Sequence, residues 1–65
     1  MVYLDLAKLR ARLKEKGITQ KDLAYALNKS ESHLNRKLNG WISMTAEEAL
    51  TIFDIAHEDI NDYKI

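Results

Sequence analysis

Apolar residues recur along this chain at helical rather than strand spacing. Leu6, Leu9 and Leu13 stand at i, i+3 and i+7, with Lys8, Arg12 and Lys16 on other faces and Gly17 where a left-handed residue closes a helix. That pattern predicts a first helix over about 5–16. Thr19, with Asp22 three residues on, reads as a short capping box, and Leu23, Ala24 and Leu27 form the inward stripe of a second helix. Asn28 ends it, because Asn is the non-glycine residue best suited to positive φ. Ser30 is the next N-cap, opening a third helix with Leu34 and Leu38 inward and Asn39-Gly40 as its stop.

After a loop over 41–44, Thr45 and Glu48 make a full capping box, and Ala49, Ile52 and Phe53 mark the apolar face of a fourth helix over 45–53. The stretch 56–63 has room for one or two more turns with Ile60 and Tyr63 inward. Nowhere does a two-residue alternation persist between turn residues, and the chain has no proline and two glycines. The expected fold class is therefore all-α, a compact bundle of four to five short helices.

Composition narrows this picture. Sixty-five residues leave room for one core, so 1–65 is expected to be a single domain. With no cysteine there is neither a disulfide framework nor a thiolate metal site. Apolar residues at 46% and charged residues at 31% are a globular balance, away from the disordered class. No apolar run approaches the roughly 20 residues that span a bilayer, and no targeting segment stands out, so a cytoplasmic location is expected. Ten basic and ten acidic residues give zero net charge, which by itself argues against a polyanionic partner. The sum hides a split. Residues 1–40 carry nine basic against four acidic residues, and residues 41–65 one basic against six acidic, so a +5 half faces a −5 half.

The stretch 19–40 carries the chemistry. A helix-turn-helix needs two short helices, a small residue where they cross and a turn residue tolerant of positive φ. Ala24 and Asn28 fill those places, and Leu23, Leu27, Leu34 and Leu38 anchor the crossing. With those inward, Glu31, Ser32, Asn35, Arg36 and Asn39 project outward. Such a row suits DNA, because a helix fits the major groove, Arg can pair with guanine O6 and N7, Asn with adenine N6 and N7, and Glu can accept from cytosine N4. Lys29, Lys37 and Asn39 are expected on phosphates, where contacts give affinity and salt dependence without sequence preference.

Here the stretch resembles the Cro and repressor family of phage and bacterial helix-turn-helix regulators. The resemblance is carried by Thr19-Gln20, Leu23-Ala24, Leu27, Ser30 and the run Leu34-Asn35-Arg36-Lys37-Leu38-Asn39-Gly40. It is nearest to the small Cro-like proteins of Gram-positive phages and prophages, and covers about a third of the chain. It implies a lambda-repressor-like bundle acting in a bacterial host. It also implies Gln20 at a phosphate or nearby base edge, and Ser30, Glu31, Ser32, Asn35 and Arg36 facing the major groove. The sequence departs from the family pattern in having Asn28 for the usual turn glycine, Lys29 for an apolar residue, Trp41 for a small or basic one, and a fourth helix about a turn short.

Other chemistries have weaker support. His33 and His57 lack both Cys partners and i, i+4 spacing, so no metal or other cofactor is expected. Asp22, Ser30, Ser32 and His33 cluster in sequence, but short exposed helices offer no buried, oriented base, and an enzyme is not expected. Glu31 has a competing role at the helix N-terminus, where the dipole favours a carboxylate. The row Lys8, Arg12 and Lys16 reads as a solvated face. Trp41, i+3 from Leu38 and i+7 from Leu34, is expected to cover the core or to contact a second subunit. The resulting expectation is a Cro-like repressor of double-stranded operator DNA acting as a homodimer, with Trp41, Ile42, Tyr63 and Ile65 as candidate interface residues. A modulator that binds another repressor protein is the alternative, favoured by the zero net charge, by Glu31 and by the acidic tail.

Overall fold

The computed structural model describes residues 3–65, and within them the chain is an all-α bundle. Four α-helices run over Leu6–Glu15 (α1), Gln20–Leu27 (α2), Glu31–Leu38 (α3) and Ala46–Ala56 (α4), followed by a 3-10 turn over Ile60–Tyr63. Each α-helix starts on a side-chain cap. Asp5, Thr19, Ser30 and Thr45 accept from the backbone N–H of Lys8, Asp22, His33 and Glu48, each at 3.1 Å. Thr19 with Asp22 and Thr45 with Glu48 close reciprocal capping boxes.

The helix stops are equally local. Gly17 (φ 71°) follows α1 and Gly40 (φ 77°) follows α3, while Asn28 (φ 56°) and His57 (φ 55°) take the left-handed conformation directly after α2 and α4. The expected turn at Asn28 is present. α4 runs a turn beyond the expected stop at Phe53, to Ala56, and so reaches the length that the family resemblance implies. The reason is apolar: Ala56 is buried one turn beyond Ile52 and Phe53, and His57 supplies the positive-φ stop that no glycine marks in the sequence.

Leu9 and Leu13 of α1, Leu23 and Ala24 of α2, Leu34 and Leu38 of α3, Ala49, Ile52, Phe53 and Ala56 of α4, and Tyr63 form one core. α2 packs chiefly on α3. Tyr63 closes the base of the core, its ring tilted 60° against Phe53 at 5.1 Å and its hydroxyl donating to Glu58 Oε1 at 2.8 Å. A single antiparallel bridge, Leu4 to Lys64, ties the chain ends together, with Asp5 N–H on Tyr63 O at 2.7 Å and Ile65 N–H on Tyr3 O at 3.1 Å. One bridging pair has no periodicity to reveal it beforehand.

Two expectations change here. Tyr63, expected both to face inward from the last turns and to serve a subunit interface, is 2% exposed and belongs to the core, its ring packed on Phe53 and under the Lys8 ammonium, so the inward expectation holds and the interface one does not. Trp41 is 74% exposed and is not among the side chains packed on the core. The left-handed Gly40 ends the helical register, so the i+3 relation to Leu38 does not carry into space.

Candidate nucleic-acid interface

The α2–α3 pair presents one continuous polar face. Thr19 and Ser30 fix where each helix begins, and the left-handed Asn28 sets the sharp turn between them, its neighbour Lys29 donating its N–H to Ala24 O at 2.9 Å. Ala24 and Leu23 are buried at the crossing, so α3 sits close on α2. α3 is held from beneath by Leu34 and Leu38 and from its end by Arg10, whose Nη1 donates to Leu38 O at 2.6 Å. Arg10 was not among the expected site residues. Its signal is its place four residues after Leu6 and three before Leu13, on the edge of the inward face of α1.

With its inner face fixed, α3 leaves Glu31, Ser32, Asn35 and Arg36 exposed, flanked by Ser30 and Asn39. Lys29 is exposed on the turn. Gln20, half-buried at the first position of α2, accepts from Asn35 Nδ2 through its Oε1 at 3.3 Å. This contact joins the start of α2 to the middle of the outward row and leaves the Gln20 amide nitrogen without a partner among the described residues. Ser30 Oγ is engaged as the N-cap, and Asn39 Nδ2 donates back to Asn35 O at 2.8 Å, so these two are more constrained than Ser32 or Arg36. Glu31 lies in the first turn of α3, where the helix dipole favours it.

Lys37 departs from the expectation. It is 7% exposed, points inward beside Leu38, and forms an ion pair with the equally buried Glu48 of α4, so it cannot reach a phosphate. The helical rotation explains the reversal: Lys37 lies three residues after Leu34, on the inner face, while its neighbour Arg36 lies on the outer one. Burial pushes the Glu48 carboxyl up, but hydrogen bonds from Lys37 and from the Thr45 backbone and hydroxyl outweigh it and hold the group at about 2. His33 Nε2 is buried with no hydrogen-bond partner among the described residues, 3.8 Å from Glu48 Oε2.

The basic row of α1 is not merely solvated. Lys8 Nζ donates to Asp62 O at 2.8 Å and lies 4.9 Å from the Tyr63 ring centre, while Arg12 and Lys16 both pair with Glu58. Lys16 also donates to Ala56 O, capping the end of α4. The Lys16 ammonium, with the Tyr63 hydroxyl and Arg12, draws the Glu58 carboxyl down to about 2. These cations fasten α1 to the C-terminal segment. Among the described residues, Lys14, Lys21, Lys29 and Arg36 form no ion pair.

Ile42 and Ile65, expected at a subunit interface with Trp41, are exposed. No helix among the described residues is long and apolar enough to cross a membrane, and no cluster of metal-binding side chains occurs among them. No curated protein and no solved structure is significantly similar to the chain. The family described as Protein of unknown function (DUF739) matches residues 1–65 from end to end, and the chain belongs to that family.

Proposed function

We propose that this protein is a sequence-specific regulator of transcription that binds double-stranded DNA, a Cro-like repressor. The observation that carries the reading is the outward row of α3: Ser32, Asn35 and Arg36 stand exposed on a helix whose opposite face is locked by Leu34, Leu38 and the Arg10 contact. A rigidly seated helix with a free polar face is what base readout in a major groove needs. Arg36 would pair with guanine and Asn35 with adenine, Asn35 being preset by its bond to Gln20. Glu31 would accept from cytosine N4 where that base follows the helix start. Gln20, Lys29, Ser30 and Asn39 would position the helix on the backbone, joined by Lys14 and Lys21. The Cro resemblance points to a bacterial host as the setting.

A module of this size covers little DNA, so specific binding calls for two copies on half-sites about 34–36 Å apart. Repression would follow from occupying a site that overlaps a promoter. The test is a gel-shift series with a randomised duplex library and with DNA flanking the protein's own gene. Specific binding that weakens steeply with salt and is reduced in Arg36→Ala supports the reading. Absence of any shift at low salt, together with capture of a second regulator, would instead establish the modulator reading. Only Lys21, Lys29 and Arg36 against Asp22 and Glu31 remain unpaired on residues 19–40, and that modest balance is what favours the alternative.

A further inference from the structure

We propose that Asn39 is a site of spontaneous chemical modification, gated by the C-terminal cap of α3, at which loss of the side-chain amide writes a negative charge onto the outward row. Asn28, Asn35 and Asn61 are each followed by a residue with a side chain; Asn39 alone precedes glycine. In that pair the next backbone nitrogen carries no Cβ to obstruct its approach to the side-chain carbonyl carbon, Cγ. Asn39 is exposed, so water and hydroxide reach it. The glycine is fixed by the fold: Gly40 has φ 77°, and a Cβ there would stand 3.4 Å from Leu6 Cδ1. The stop of α3 therefore carries the labile pair with it.

The chemistry needs only water. With its proton taken by hydroxide, the Gly40 amide nitrogen attacks Asn39 Cγ. The N–Cγ bond forms, the Cγ–Nδ2 bond breaks, and Nδ2 takes a proton from water and leaves as ammonia. Water then opens the five-membered imide at one of its two carbonyls, giving aspartate or, with the chain rerouted through Cγ, isoaspartate.

Hydrogen bonds hold the folded chain short of that step. Gly40 N–H, whose nitrogen is the nucleophile, donates to Lys37 O at 3.2 Å, Trp41 N–H donates to Arg36 O at 2.9 Å, and Asn39 Nδ2 donates to Asn35 O at 2.8 Å. Asn39 has ψ −1°, which turns its Cβ well out of the plane of the following peptide, whereas ring closure needs it near that plane. Conversion thus requires the cap to open, and helix ends are where opening costs least. Arg10 resists it from the other side, its Nη1 on Leu38 O at 2.6 Å.

The products disturb α3 in different ways. Aspartate at 39 sets a carboxylate at the negative end of the helix dipole and one turn from Arg36, which has no ion-pair partner among the described residues. Isoaspartate adds a backbone atom inside the cap and breaks its hydrogen-bond register. Either product repels a phosphate that the amide would meet. That consequence rests on the DNA reading, whereas the conversion itself is measured without DNA.

The test incubates the full chain in mildly alkaline buffer over a urea series and follows residue 39 by peptide mass spectrometry, with Asn39→Gln as the unconverting control. Conversion is expected to be slower in the folded chain than in the urea-unfolded one by roughly tenfold or more, and to speed up before circular dichroism falls. Arg10→Met, compared where its circular dichroism matches the wild type, should convert several-fold faster. A folded chain that converts as fast as the unfolded one, or only in step with global unfolding, overturns the gate. Gel shifts carry the rest. Asn39→Asp should bind the duplex selected by the wild-type chain roughly tenfold more weakly. Undiminished binding by Asn39→Asp overturns the consequence and leaves the regulator, whereas a chain that binds no DNA refutes the regulator and leaves the gated conversion standing.

Discussion

α1 and α3 are both rich in basic residues, yet the fold uses them in opposite ways. On α1, Lys8, Arg12 and Lys16 are turned toward the C-terminal segment, where Glu58, two backbone carbonyls and the Tyr63 ring take them up. On α3, Arg36 stays free while its neighbour Lys37 is drawn inside to Glu48. The +5 half of the sequence is therefore not one basic surface. Part of it is the fastening that holds the −5 half in place, and only the remainder around Lys14, Lys21, Lys29 and Arg36 is available to a partner. A charge asymmetry along a chain can be a mutual attraction of its two halves as much as a footprint for something else.

That contrast can be broken most forcefully at the buried pair. Glu48→Ala should destabilise the fold by roughly 3 kcal/mol, measured by urea denaturation, because it strands the Lys37 ammonium in the interior and removes the side-chain half of the α4 capping box. Lys37→Met in the same chain should recover most of the loss, since it removes the stranded charge and keeps the volume. Arg36→Ala, one residue away, should leave stability within about 0.5 kcal/mol. Under the DNA reading it should weaken specific binding by about 1–3 kcal/mol.

Acid sharpens the comparison from the other side. Glu48 and Glu58 are both held at about 2 in the folded chain against an ordinary value of 4.5, so the unfolded chain binds more protons between those limits. The stability they contribute is complete above about pH 4.5 and is lost as the pH falls toward 2. Thermal unfolding followed from pH 6 to pH 2 should show that loss, and Glu48→Gln with Glu58→Gln should flatten the acid limb while lowering the neutral plateau. The smallest effect lies in the two left-handed caps. His57 and Asn28 share the same backbone conformation, and Asn is the better suited of the two to it. His57→Gly is expected to stabilise by about 0.5 kcal/mol and Asn28→Gly by less, readable as shifts in melting temperature.

The helical outline was legible from the chain because its signals are local. Thr19, Ser30 and Thr45 cap helices through atoms three residues away, Asn28 turns the chain by its own φ, and Leu23, Ala24, Leu34 and Leu38 need only helical periodicity to be placed inward. The outward row of α3 follows from the same periodicity. Failures began where a residue's role is set by something distant in sequence. Helical rotation already turns Lys37, three residues after Leu34, to the inner face and Arg36 to the outer one, but the partner that lets a cation be buried there, Glu48, stands eleven residues on. Trp41, counted as a helix position, stands beyond a glycine that ends the count, while Tyr63, rightly expected inward, has no part in a surface of the acidic half.

By itself, then, the sequence determined four capped helices, the sharp turn between the second and third, and the set of side chains those helices turn outward. All of these are fixed by backbone dihedrals, caps and the 3.6-residue repeat within a few residues of each position. Only the tertiary structure decided which cations bind within the chain, that the inward Tyr63 meets Phe53, that Arg10 holds the end of α3, and that Tyr3, Ile42 and Leu50 converge on one groove. Each of those depends on segments brought together across dozens of residues, where burial and charge pairing are settled by the neighbour that arrives rather than by the residue's own type.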